Sequence, residues 1–138
     1  MTIPYKMIAL DLDGTLTNHD KVVTPLTRAA LLKAQENGAA IVLASGRPTY
    51  GIEPVADCLE LDRRGGFILS YNGGKIVDWQ SREELYSKSL PQDVIPVLHS
   101  YASAHGYALL GYVGNEIVTE SPFDKYVAEE SRINKMAV

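Results

Sequence analysis

The feature that most constrains this chain is a short apolar run that stops on acid. Met7-Ile8-Ala9-Leu10 is followed at once by Asp11-Leu12-Asp13-Gly14. Such a run reads as a buried strand, and side chains two apart on a strand point the same way. Asp11 and Asp13 therefore share one side, where two carboxylates repel each other unless a cation or a common task holds them. Gly14 lets the backbone turn sharply and come close to a ligand. Acids at the carboxyl end of a buried strand, beside such a turn, sit where open α/β sheets keep their active sites.

The chain beyond this point alternates between the two periods expected of such a sheet. Residues 18–24 are polar, with His19-Asp20-Lys21 at the tip, and read as a loop or small hairpin in which His19 is solvated. Thr24-Pro25 is an N-cap followed by proline at the first helical position. Thr27, Ala30, Leu31 and Ala34 then repeat at helical spacing, and Asn37-Gly38 stops the helix. Ala39 to Ala44 predicts a second buried strand, ending on Ser45-Gly46-Arg47-Pro48. A helix then runs to about Leu61, with Pro54 beginning its regular part or bending it. Arg63 to Gly66 reads as a loop, and Phe67 to Ser70 as a third strand, so a βαβαβ order is visible by residue 70. That order calls for a doubly wound parallel sheet with right-handed crossovers.

Asn72-Gly73-Gly74 is a tight turn, and Lys75 to Trp79 runs back extended. The texture changes near Glu84. A strand over 85–89 leads through Pro91 into a helix from Gln92 to His105, which Gly106 ends. A hairpin about Gly114-Asn115 and a last helix over 123–136 follow. His99 and His105 are six residues apart on one helix, which does not place them together on a metal. The Tyr101, Tyr107 and Tyr112 cluster reads as packing.

Composition excludes several classes. A net charge of −4, with no Lys/Arg block, argues against a nucleic-acid-binding surface. The lone cysteine, Cys58, rules out an internal disulfide and fits a reducing cytoplasm. It reads as a small buried apolar residue. No apolar run approaches the roughly 20 residues that cross a bilayer, and no signal-peptide pattern opens the chain.

Asp11-Leu12-Asp13-Gly14-Thr15 resembles the first signature of the haloacid dehalogenase (HAD) superfamily of phosphotransferases, and Ser45-Gly46-Arg47 resembles its second. With Tyr71-Asn72-Gly73-Gly74, the chain resembles the amino-terminal half of the Cof-like sugar-phosphatase subfamily. The resemblance implies a Rossmann-like α/β core over residues 1–82. Residues 83–138 would begin an α+β cap of type IIB that closes over the substrate. Asp11 would be the nucleophile that forms an aspartyl phosphate. Asp13 would protonate the leaving alcohol and later deprotonate water. Leu12, Ser45, Gly46 and Arg47 would bind phosphate, while Asn72 and Gly73 would orient the substrate or Asp13. An Asp11 carboxylate oxygen and the Asp13 backbone carbonyl would hold Mg2+. Taken alone, Ser45 reads equally well as an ST-turn capping the next helix, and Arg47 as one half of a surface salt bridge.

The superfamily's third signature, a lysine, and its fourth, an acidic metal loop, are not found after residue 74. The expectation is an amino-terminal portion of a longer protein, impaired in turnover, with an unpaired sheet edge open to self-association. The leading reading is a magnesium-dependent phosphatase of small phosphorylated metabolites such as sugar phosphates. A mutase, or a sucrose- or trehalose-phosphate phosphatase, is the alternative within the superfamily. A non-catalytic module that binds phosphate or a partner is the alternative outside it. A phospho-relay receiver domain fits poorly, because its acidic pair lies on a different strand from the phosphorylated aspartate.

Overall fold

Residues 5–138 are described by a computed structural model, which divides at Ser87/Lys88 into two units. Residues 1–4 of the expected core lie outside the described part. The first unit contains strands β1 (Met7–Asp11), β2 (Ala40–Ala44), β3 (Gly66–Ser70), β4 (Lys75–Asp78) and β5 (Glu84–Ser87). Its helices are α1 (Pro25–Glu36), α2 (Thr49–Cys58) and the short α3 (Leu61–Arg64). The strands form one sheet in the order β1-β2-β3-β4-β5. The first three are parallel, and β4 and β5 run antiparallel. The fold is thus Rossmann-like, as expected. Its sheet turns mixed at β4 because the turn after Ser70 is far too short for a crossover helix.

Each crossover is dictated locally. At the start of α1, Thr24 Oγ1 accepts the Thr27 amide at 3.3 Å, and Pro25 occupies the first turn. Gly38, at φ +90°, turns the chain out of the helix into β2. Both crossovers advance in one direction across the sheet, so right-handedness carries α1 and α2 to the same face. Leu31, Ile52, Val55, Ala56, Leu59 and Leu61 join Ile41, Leu43 and Ile68 there in one core cluster. Each fully buried aliphatic side chain in it contributes on the order of 1.5–3 kcal/mol.

Several expectations need correction. The first strand is not fully buried: Met7, Ala9 and Asp11 are exposed, and Ile8 and Leu10 half-buried. The reason is position, since β1 is the outer strand of the described sheet and pairs only with β2. The helix expected to reach Leu61 runs through Pro54 and ends at Cys58. Glu60, in a left-handed conformation, then starts α3, so Arg63 and Arg64 are helical rather than in a loop. The strand read at 85–89 lies at Glu84–Ser87 and pairs with β4, so it belongs to the first unit. A boundary at 82/83 would cut that strand from its sheet.

The second unit holds α4 (Val94–His105), β6 (Leu110–Val113), β7 (Glu116–Thr119) and α5 (Lys125–Asn134). β6 and β7 form the expected hairpin, with Gly114 at φ +58°. α5 starts later than expected because Asp124 caps it, its carboxylate accepting the Tyr126 amide at 2.8 Å. Ile117, Val127 and Met136 are buried, while Ile95, Val97 and Tyr101 of α4 are exposed. His99 pairs with Glu120 at 2.7 Å, and His105 Nδ1 lies 2.8 Å from the Tyr101 carbonyl. Neither histidine belongs to a metal-binding cluster among the described residues.

Candidate functional site

Three parallel strands end side by side. Asp11 stands opposite Ala44, and Ala44 opposite Leu69, so the residues just past each strand meet at one rim. After Asp11 the chain curls on itself. Leu16 N donates to Asp11 O at 3.1 Å, and the Thr17 amide and hydroxyl both donate to Leu12 O at 2.9 Å. Gly14, at φ +81°, makes the curl possible. Leu12 and Leu16 bury their side chains beneath it and leave Asp11 and Asp13 exposed above.

Past β2, Ser45 is buried and its hydroxyl accepts the Arg47 amide at 3.2 Å. That is the ST-turn which the sequence left open. It still leaves the hydroxyl proton to donate. Arg47 is only 9% exposed, and each of its three guanidinium nitrogens is engaged. Nε donates to Asp13 Oδ2 at 2.8 Å, Nη2 to Asp13 Oδ1 at 2.6 Å, and Nη1 to the Gly51 carbonyl at 3.1 Å. The fork expected to receive phosphate is therefore closed on Asp13, and the salt bridge lies inside the site rather than on the surface.

Lys21 meets the same carboxylate, its Nζ 2.7 Å from Asp13 Oδ1. Nothing in the spacing of the polar loop marked Lys21 as part of the site. The loop is built around Asn18, whose side-chain oxygen accepts the amides of Asp20 and Val22, both at 3.0 Å. With both cations on it, and the Arg47 hydrogen bonds contributing most, Asp13 is lowered from 3.8 to about 2 against the opposing effect of burial. The Lys21–Asp13 pair is more than one-third exposed on both sides, so it adds only about 0–1 kcal/mol to stability. The buried Arg47 fork, with charge-assisted bonds of about 1.5–3 kcal/mol each, does most of the holding.

The third strand end packs on the second. Tyr71 N donates to Arg47 O at 2.9 Å, and Asn72 N to Ser45 O at 3.2 Å. Asn72 adopts a left-handed conformation, and its carboxamide lies over Gly46. A Cβ at Gly46 would stand 3.1 Å from Asn72 Oδ1, so the bare glycine makes room for the amide. Asn72 is thus at the rim, but the donors on Asp13 are Arg47 and Lys21. Gly73, exposed at φ +88°, carries the turn into β4.

The donor set suits a hard cation. Both Asp13 carboxylate oxygens are occupied, which leaves the Asp11 carboxylate and the Asp13 backbone carbonyl. Magnesium accepts one or two protein oxygens and keeps several waters. No group of three or more His, Cys, Asp or Glu side chains able to hold a metal occurs among the described residues, so a bound ion would stay largely hydrated.

Over 95 residues the chain is 38% identical to the protein YxeH of Bacillus subtilis (strain 168), covering 69% of this chain and 35% of that one. It is 31% identical over 117 residues to the pyridoxal phosphate phosphatase YbhA of Escherichia coli (strain K12), covering 85% and 42%. A crystal structure of a haloacid dehalogenase-like hydrolase from Bacteroides thetaiotaomicron superposes with a TM-score of 0.89 at 53% identity, covering 96% of this chain and 50% of that one. A HAD subclass IIB sugar phosphatase, 20% identical, shares the fold with a TM-score of 0.74, over 96% of this chain and 50% of its own. The chain thus spans half or less of the length of each of these proteins. The family model for haloacid dehalogenase-like hydrolases matches residues 8–137, from within β1 to Ala137, which bridges to Glu116. On that match, and on the rim where β1, β2 and β3 end together, the chain belongs to the haloacid dehalogenase-like hydrolase family.

Proposed function

We propose that the chain carries the nucleophile-bearing part of a magnesium-dependent phosphatase for small phosphorylated metabolites, sugar phosphates among them. The observation that carries this reading is the two-point grip of Arg47 on Asp13, which ties the loop after β1 to the loop after β2. Asp11, exposed at the end of β1, attacks phosphorus, and the ester P–O bond breaks. Asp13 gives a proton to the departing oxygen, then takes one from the water that hydrolyses the aspartyl phosphate. The cations on Asp13 favour its carboxylate, the form needed for the second step. A phosphate dianion beside it favours the protonated form needed for the first. The Ser45 hydroxyl and the backbone amides of Leu12 and Gly46 receive phosphate oxygens. Asn72 lines the same rim, and Gly73 shapes it. Magnesium, held by Asp11 and the Asp13 carbonyl, would disperse charge on the phosphoryl group.

Residues 88–138 are read as the start of a cap that excludes water and selects the leaving group. The reaction belongs in the cytoplasm, where a lone half-buried cysteine is at ease. Magnesium-dependent hydrolysis of an aryl phosphate tests the reading, together with trapping of beryllium fluoride at Asp11. Turnover or trapping that disappears in Asp11→Asn supports it. Turnover or trapping that persists unchanged in Asp11→Asn would overturn it.

A second reading, a non-catalytic module that binds a partner or another copy, rests on the outer edge of β1, which pairs with no further strand among the described residues. It predicts concentration-dependent association without trapping.

A further inference from the structure

A phosphate dianion that enters beside Asp11 and Asp13 is repelled by both carboxylates, so the pocket must answer with cations. Arg47 is the obvious candidate by residue type, yet its Nε and Nη2 face Asp13 and its Nη1 faces the Gly51 carbonyl, which holds the fork in place with three of its five N–H donors. It is also buried, and turning its fork to a ligand would mean abandoning both bonds to Asp13. Lys21 stands differently. Its Nζ carries three donors and, among the described residues, makes one hydrogen bond, to Asp13 Oδ1. Its side chain is 38% exposed.

The backbone beneath Lys21 is closed by hydrogen bonds, while the side chain above it is tethered through Nζ to Asp13. Asn18 Oδ1 closes the loop on the amides of Asp20 and Val22, and Lys21 N donates to Asn18 O at 3.0 Å. Val23 is buried in the core cluster and anchors the far end. Lys21 itself sits at φ +61°, a conformation unusual for a non-glycine residue. A hydrogen-bonded loop thus presents an exposed ammonium at the Asp13 carboxylate. A phosphoryl oxygen bound beside Asp13 would be met by the same ammonium through side-chain rotation.

We propose that Lys21 is an additional phosphate-contacting cation that this part of the chain supplies to the site, and that Arg47 is the fixed clamp of Asp13. The assignment rests on the phosphatase reading above and adds to it an anion-binding residue outside the two signatures present in the chain.

Calorimetric titration of inorganic phosphate into the chain, at constant ionic strength and with magnesium present, tests it. Lys21→Met is expected to weaken phosphate binding about tenfold, and Lys21→Arg to stay within about threefold of the wild type. Lys33→Met removes an exposed charge on α1 and is expected to bind as the wild type does. The unfolding midpoint of Lys21→Met should move by no more than about 3 °C, which separates the effect from loss of fold. Unchanged affinity in Lys21→Met, or an equal loss in Lys33→Met, overturns the assignment and leaves the phosphate site standing. A wild type that takes up no phosphate removes the phosphatase reading, and the role of Lys21 with it.

Discussion

Arg47 grips both oxygens of Asp13, with Nε on Oδ2 at 2.8 Å and Nη2 on Oδ1 at 2.6 Å. The two residues come from loops after different strands, so their pairing joins the ends of β1 and β2. Arg47→Met removes the buried partner and leaves only the half-exposed Lys21 on the carboxylate. We expect a loss of about 2–3 kcal/mol in unfolding free energy. Arg47→Lys recovers little, because an ammonium cannot form the fork. Trp79, the single tryptophan, is buried in the first unit and reports the transition by fluorescence in urea.

The same pairing sets a pH dependence. Asp13 releases its proton more readily in the folded chain, at about 2, than at its ordinary 3.8. The unfolded chain therefore binds more protons across that interval, and stability falls as pH falls. The contribution is fully present above about pH 4 and is lost as the pH drops towards 2. Asp13→Asn should lack this part of the slope. Equal acid sensitivity of wild type and Asp13→Asn would show that other carboxylates govern it.

Asp11 is exposed at the strand end, so Asp11→Asn should leave stability within about 0.5 kcal/mol of the wild type. Its effect belongs to chemistry. Aryl-phosphate turnover should fall about a thousandfold or more, and beryllium fluoride should no longer be retained. Retention of fluoride by the Asn variant would move the nucleophile elsewhere.

Two glycines should respond unlike each other to alanine. At Gly66 an added Cβ would lie 2.8 Å from the Ile41 carbonyl, backbone of the neighbouring strand, at φ +155°. Neither atom can step aside, and Gly66→Ala should cost about 2–4 kcal/mol. At Gly46 the obstacle is the Asn72 side chain, 3.1 Å away, which can move by a few tenths of an ångström. Gly46→Ala should therefore cost about 1 kcal/mol or less and show itself as an altered Asn72 amide resonance. Comparison of the two unfolding curves, with an NMR spectrum of the second variant, checks both.

Local pattern in the chain was enough for the order of elements from β1 to the third strand, the caps of α1, and the two acids at a strand end. Those features depend on near neighbours: an N-cap three residues from its amide, a glycine after a helix, a period of two or of 3.6. The signatures around Asp11 and Ser45 carried the family for the same reason. Tertiary structure alone decided which strand lies outermost, and so why Met7 and Ala9 are exposed although their run reads as buried. It also decided that β5 completes the first sheet, and that Arg47 and Lys21 converge on one carboxylate from 34 and 8 residues away. Strand neighbours and ion partners are chosen by crossovers and loop closure, and a charged side chain carries no mark in the sequence of the oxygen it will meet.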